Sequence, residues 1–270
     1  MRFRSASFFF LLPVLALPAH PELDAALQRI NARVAASPQA AALYLERGEI
    51  YLGAGDLLTA EANFQVAAEL DPQLPRLDRA RATLALSRRQ PADAIRLLEG
   101  ALRRNPADTE ARILRARSQL ASGHSAAAGE DFAAALALLE QPAPEIFLEY
   151  AACAANPIEA IRRLDAGCAR LGAVPALLER ALALEESAGL IDHAVSRLDR
   201  IIARVERPES WLKRRGDLLQ RAGRPAEAGA SYAAARTAIG RLPDWLQESP
   251  ATTRLKHELV DSAPSLSLSP

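Results

Sequence analysis

An alanine returns along this chain at Ala26, Ala60, Ala94, Ala128, Ala160, Ala194 and Ala228, in steps of 34, 34, 34, 32, 34 and 34 residues. Four residues after each stands a large apolar side chain: Ile30, Phe64, Leu98, Phe132, Leu164, Leu198 and Tyr232. Three further on the residue is usually small, as at Ala67, Ala101, Ala135, Gly167 and Ala235, with Arg33 and Ile201 as exceptions. A period of 34 held over most of a chain predicts stacked helix pairs in which each pair buries its apolar face against the next. An irregular helical bundle does not keep such a register.

Between Ala41 and Leu74 the pair is most legible. Tyr44, Gly48 and Tyr51 lie on one helical stripe, at spacings of four and three. Gly55 stops the first helix, because a glycine accepts the left-handed conformation of a helix C-terminus. The second helix carries Ala60, Phe64 and Ala67 inward and ends at Asp71-Pro72, where proline cannot continue it. The stop glycine returns as Gly123, Gly189 and Gly223, and the closing proline as Pro38, Pro72 and Pro106. Half the residues are hydrophobic while aromatics are 5%, so the apolar content is mostly small and aliphatic, and no window alternates as a strand does.

The series Tyr44, Gly48, Tyr51, Ala60, Phe64, Ala67, Pro72 resembles the signature of the tetratricopeptide repeat family, with tyrosine where tryptophan is commonest. The resemblance covers about residues 22–260. It implies an all-α fold, a right-handed α-solenoid of helix-turn-helix repeats. Six repeats are expected at 41–74, 75–108, 109–142, 143–174, 175–208 and 209–242, after a half repeat at 22–38 and before a capping helix at 250–261. The solenoid as a whole would span 20–262. The fourth repeat is two residues short and turns through Asn156-Pro157; in the fifth, Leu182 stands where a small residue is expected.

The N-terminus reads differently. Arg2 and Arg4 precede an apolar run from Phe8 to Leu17, and Leu17-Pro18-Ala19 offers a cleavage site. That is the layout of a secretory signal peptide at 1–19, too short to span a bilayer, which takes roughly 20 apolar residues. No cysteine lies beside the cleavage site to carry a lipid. The expected location is periplasmic or secreted, in a bacterial setting, and residues 263–270 are expected to be a disordered tail.

Without residues 1–19 the chain holds 31 Lys+Arg against 33 Asp+Glu. This balance gives no footing for nucleic acid. Cys153 and Cys168 fall in one helix pair but about 10 Å apart along its axis at 1.5 Å per residue, beyond the reach of a disulfide. Two buried free thiols are expected. The four histidines, His20, His124, His193 and His257, show no metal-ligand spacing. Neither a phosphate loop nor a calcium loop is present. The expectation is a non-enzymatic chain with no cofactor, no metal and no integral membrane span.

In the family, first helices line a groove that binds partners. The register places Leu45, Glu49, Arg76, Arg79, Ile113, Arg117, Phe147 and Lys213 on that surface. Its early half combines an apolar floor with three arginines, which suits an extended peptide bearing carboxylates; the same arginines could instead pair with Glu49 and Glu110. The family's clamp for chaperone C-termini, a lysine and two asparagines, is absent: Leu45, Glu49 and Arg79 or Thr83 occupy those places. The function implied is an exported adaptor or scaffold for a protein or peptide partner. The alternative is a module for an envelope glycan, for which Trp211 and Trp245 are the available stacking rings.

Overall fold

The computed structural model describes residues 21–261. The signal-peptide and tail expectations lie outside them. The described residues are predominantly helical, with no strand among them, and divide between His124 and Ser125 into two compact units.

In the first unit α1 (Pro21–Ala36) leads into α2 (Ala41–Gly53) and α3 (Leu57–Leu70), then α4 (Leu77–Ser87) and α5 (Pro91–Arg104), then α6 (Thr109–Ala121). Turns of three residues fold α3 back on α2 and α5 back on α4. Ile30, Val34 and Leu43 form the core between α1 and α2. Phe64, Ala60 and Ala67 of α3 pack with Leu45 of α2 and with Leu77, Ala80 and Leu84 of α4. Ala94 and Leu98 of α5 pack with Ala82, Ala85 and Ala111. The repeating alanine is thus a contact surface, fully buried at Ala60 and Ala94, where a larger side chain would hold the helices apart.

The second unit runs α7 (Ser125–Leu138), α8 (Pro144–Ala152), α9 (Pro157–Leu171), α10 (Pro175–Ser187), α11 (Ile191–Ile202), α12 (Glu209–Arg221), α13 (Pro225–Gly240), the short α14 (Asp244–Gln247) and α15 (Pro250–Asp261). One core cluster joins Leu182, Ala194, Leu198, Leu218, Ala228, Tyr232 and Ala235, and Leu259 of α15 closes it. Trp211 packs against this cluster, whereas Trp245 is 72% exposed. Gly216 explains how α12 and α13 approach so closely. A Cβ there would stand 2.4 Å from Tyr232 Cε1.

The first helices of five pairs end in one way, α8 being the exception, with Cys153 in the right-handed region at its end. Gly55 has φ +81°, and the next residue, Asp56, donates its N–H to Tyr51 O at 3.0 Å. His124, Leu190 and Arg224 repeat this bond to Gln119, Glu185 and Leu219, each after a glycine of positive φ. These are helix-terminating bonds around a left-handed residue. The same bond occurs from Gln90 to Ala85 at 2.8 Å, but the left-handed residue there is Arg89, with φ 59°. Asp56 then starts α3 by accepting the Thr59 N–H at 3.0 Å, a side-chain N-cap.

A charged cluster sits inside the second unit. Arg197 of α11 is 4% exposed and holds Glu185 of α10, itself 1% exposed, through Nε and Nη2 at 2.9 and 2.7 Å. It also reaches Asp165 of α9 at 2.6 Å. Burial alone would depress the Arg197 pKa; the hydrogen bonds it donates to Glu185 and Asp165 outweigh burial and raise it, so the guanidinium stays charged. No disulfide forms between the cysteines, both of which are free; Cys153 is buried but Cys168 is only half-buried, a correction to the expected pair of buried thiols.

A charged cleft at the α4–α6 edge

The cleft that gathers expected groove residues lies in the first unit and has a volume of about 630 Å³. The loop before α4, the end of α5 and the start of α6 surround it, and Arg76, Asp78, Arg79, Arg104, Asp108 and Glu110 supply its charges. Arg76 is placed by its backbone: as the N-cap residue of α4 it has φ 70°, the left-handed region, directly after Pro75. Asp108 has two roles. It caps α6 by accepting the Ala111 N–H at 2.9 Å, and it accepts both hydrogen bonds from Nη1 of Arg79, at 3.0 and 3.1 Å.

The cations of this cleft are paired. Arg79 reaches Glu110 at 2.8 Å through its other terminal nitrogen. Arg76 reaches across to Glu49 of α2 at 2.8 Å, and Arg104 pairs with Asp78. Three guanidinium groups are therefore held by four carboxylates, Glu49, Asp78, Asp108 and Glu110, and the cleft is dipolar rather than cationic. For Arg76 and Arg79 the expected pairing with Glu49 and Glu110 is present.

The other expected residues are dispersed. Leu45 is 5% exposed beneath Leu77, Ala80 and Leu84, and Phe147 is 4% exposed against Gly167 of α9, so both belong to the core rather than to an open floor. The pattern misplaced them because the neighbouring helix covers the stripe they occupy. Ile113 is half-buried and Arg117 exposed on α6, and neither lines the cleft. Lys213 lies in the second unit, half-buried, bound to Asp217 at 2.8 Å and Glu258 at 3.4 Å.

Sequence reasoning passed over Asp78, Arg104 and Asp108. Asp108 left a signal, since an aspartate just after Pro106 and before Thr109-Glu110 is an N-cap pattern. Among the described residues no group of three or more His, Cys, Asp or Glu side chains is arranged to hold a metal ion, and no helix is long and apolar enough to cross a membrane.

Helix pairs with this spacing, this turn and this small-on-large packing define the class: a repeat array built to present helix faces. Residues 85–130 match the family model of the tetratricopeptide repeat. The fold agrees with solved structures of that kind. A tetratricopeptide repeat protein from Parabacteroides merdae has TM-score 0.53 at 18% identity over 90% of this chain and 92% of its own. PilW, described as a widely conserved type IV pilus biogenesis factor, has TM-score 0.57 at 18% identity, over 68% of this chain and 86% of its own. A chain of the APC/C hetero-tetramer Cut9–Hcn1 has TM-score 0.53 at 15% identity over 88% of this chain, which spans only 46% of that one. No curated protein matches by sequence. The chain thus carries a tetratricopeptide repeat segment at residues 85–130 and shares the fold of tetratricopeptide repeat arrays.

Proposed function

We propose that this chain is an exported, non-catalytic adaptor that holds a protein partner by an extended segment laid over the α4–α6 edge of its first unit. The cleft described above carries the reading. Its ion pairs are exchangeable: Arg76 is 57% exposed and Glu110 72% exposed. Ion pairs reached by solvent contribute about 0–1 kcal/mol, so a partner's carboxylate or backbone carbonyl displaces Glu49 or Glu110 at small cost. A dipolar cleft suits a segment that brings both donors and acceptors. Export rests on Arg2, Arg4 and the run from Phe8 to Leu17. The type IV pilus role of PilW makes an envelope assembly the setting in which we place the partner.

The test is capture from a native envelope extract by the immobilised chain, with bound proteins identified by mass spectrometry. Arg76→Ala with Arg79→Ala should weaken capture at least about tenfold, in line with charged hydrogen bonds of about 1.5–3 kcal/mol, with helicity retained. Arg103→Ala is the control. Undiminished capture by the double variant removes the cleft from the reading. An N-terminal sequence still beginning at Met1 in the envelope fraction removes cleavage.

A further inference from the structure

A second cleft, of about 290 Å³, opens between α3 and α5 over one face of α4 and shares no residue with the first. Its floor is apolar, from Phe64, Leu84 and Leu97, and its charged walls are Arg81, Arg88, Arg96 and one carboxylate, Glu61. Glu61 gives both oxygens to Arg88, at 2.7 Å each, and Arg88 also donates to the Leu57 carbonyl at 3.3 Å. That residue is therefore a tie between α4 and α3, and it consumes the acid.

The other two guanidinium groups are loosely committed. Arg81 makes a long hydrogen bond, 3.5 Å, to Gln65 Oε1. Arg96 pairs with Asp93 one turn back on α5, outside the cleft, and is 75% exposed. Such a surface pair has little hold on its arginine. Leu58, one turn before Glu61 on α3, is 77% exposed and gives α3 an apolar position beside the cation-rich wall. Where the first cleft balances its cations, this one has three against one.

We infer that the α3–α5 cleft docks an acidic segment of a partner protein, a glutamate or aspartate of which takes Arg81 and Arg96 while its methylenes lie on Leu84 and Leu97. The chemistry is the match of planar guanidinium forks to carboxylates, joined to burial of the acidic side chain's stem on an apolar floor. This goes beyond the proposed function, since it concerns a different surface and a defined class of partner residue.

The experiment uses the full chain and a fluorescein-labelled peptide of ten glutamates, followed by anisotropy at low ionic strength. Saturable binding is expected. It should weaken by at least about fivefold in Arg81→Gln with Arg96→Gln, a loss of the size charged contacts give. Arg29→Gln with Arg103→Gln removes the same charge elsewhere and should leave binding unchanged. A photo-crosslinking residue at Gln65 should label the peptide, while one at Glu99 on the exposed side of α5 should not. Equal weakening by both double variants, or equal labelling from both positions, would mean diffuse attraction and overturn the assignment. So would full binding by the Arg81 and Arg96 variant. Labelling from Gln65 is measured with every arginine in place, so a folding defect in a variant does not obscure the answer.

Discussion

Gly48 lies directly beneath the ring of Phe64, so close that a Cβ on Gly48 would stand 2.5 Å from Cε1 and 3.2 Å from the Ala60 carbonyl oxygen. Phe64 is 1% exposed and packs with Leu45, Leu77, Ala80 and Leu84, which its ring would have to displace in order to move. Gly48→Ala should therefore destabilise the first unit by about 1–3 kcal/mol, the range for overpacked cores. Gly53→Ala, where nothing lies within 4 Å, should be neutral or slightly stabilising. Thermal melts of the two variants side by side decide the matter; equal shifts would mean the ring is free to move.

Arg89 holds the left-handed position that glycine fills at four other first-helix ends. A side chain in that region costs roughly 1–2 kcal/mol relative to the right-handed one, and glycine escapes the penalty while losing some unfolded-state entropy. Arg89→Gly should raise stability by about 1 kcal/mol, read from denaturant midpoints at an unchanged slope. A lower midpoint would show that the arginine side chain contributes more than its backbone costs.

The Arg197–Glu185 pair predicts a non-additive cycle. Arg197→Leu leaves Glu185 buried without its counter-charge and should cost about 3–5 kcal/mol. Adding Glu185→Leu should recover most of that loss, since a buried pair replaced by apolar groups is often neutral. Additive losses in the double variant would place the importance of these side chains in packing rather than in charge.

Acid should weaken the fold over a defined interval. Hydrogen bonds from Thr59 hold the Asp56 carboxyl below its ordinary 3.8; Arg88 does the same for Glu61, and Arg224 for Glu227, each below 4.5. The Ala155 N–H and then Arg163 lower Glu159. Groups depressed in the folded state add stability above their unfolded values, and lose it as pH falls through their folded ones. The melting temperature should be nearly flat from neutrality to about pH 5 and fall below about pH 4. Asp56→Asn with Glu61→Gln should flatten part of that fall.

The parts of the fold legible in the sequence are those fixed by local spacing. Ala60, Ala94, Ala128, Ala194 and Ala228 are all fully buried, and Phe64, Leu98, Phe132, Leu164 and Leu198 are at most 1% exposed, because helical periodicity alone puts them on the packed stripe. Arg76 and Arg79 were identified as residues of interest, yet their state depends on Glu49 and Asp108, 27 and 29 residues away. No periodicity encodes which side-chain rotamers meet over that distance. Leu45 and Phe147 show a second limit, since a first-helix residue is groove or core according to how far the next helix overlaps it.

The separations at which this chain closes on itself are short. Gly48 meets Phe64 and Gly216 meets Tyr232 across 16 positions, the same spacing as the Arg47–Asn63 hydrogen bond. A helical hairpin of that size forms with little loop entropy to overcome, so its rate of formation is governed by local encounters. Each such hairpin can serve as a nucleus on which the next helix condenses. Refolding of this chain from denaturant should have a fast phase, in the microsecond-to-millisecond range of local-contact proteins, in which the Trp211 fluorescence reports the α12–α13 hairpin closing onto its neighbours.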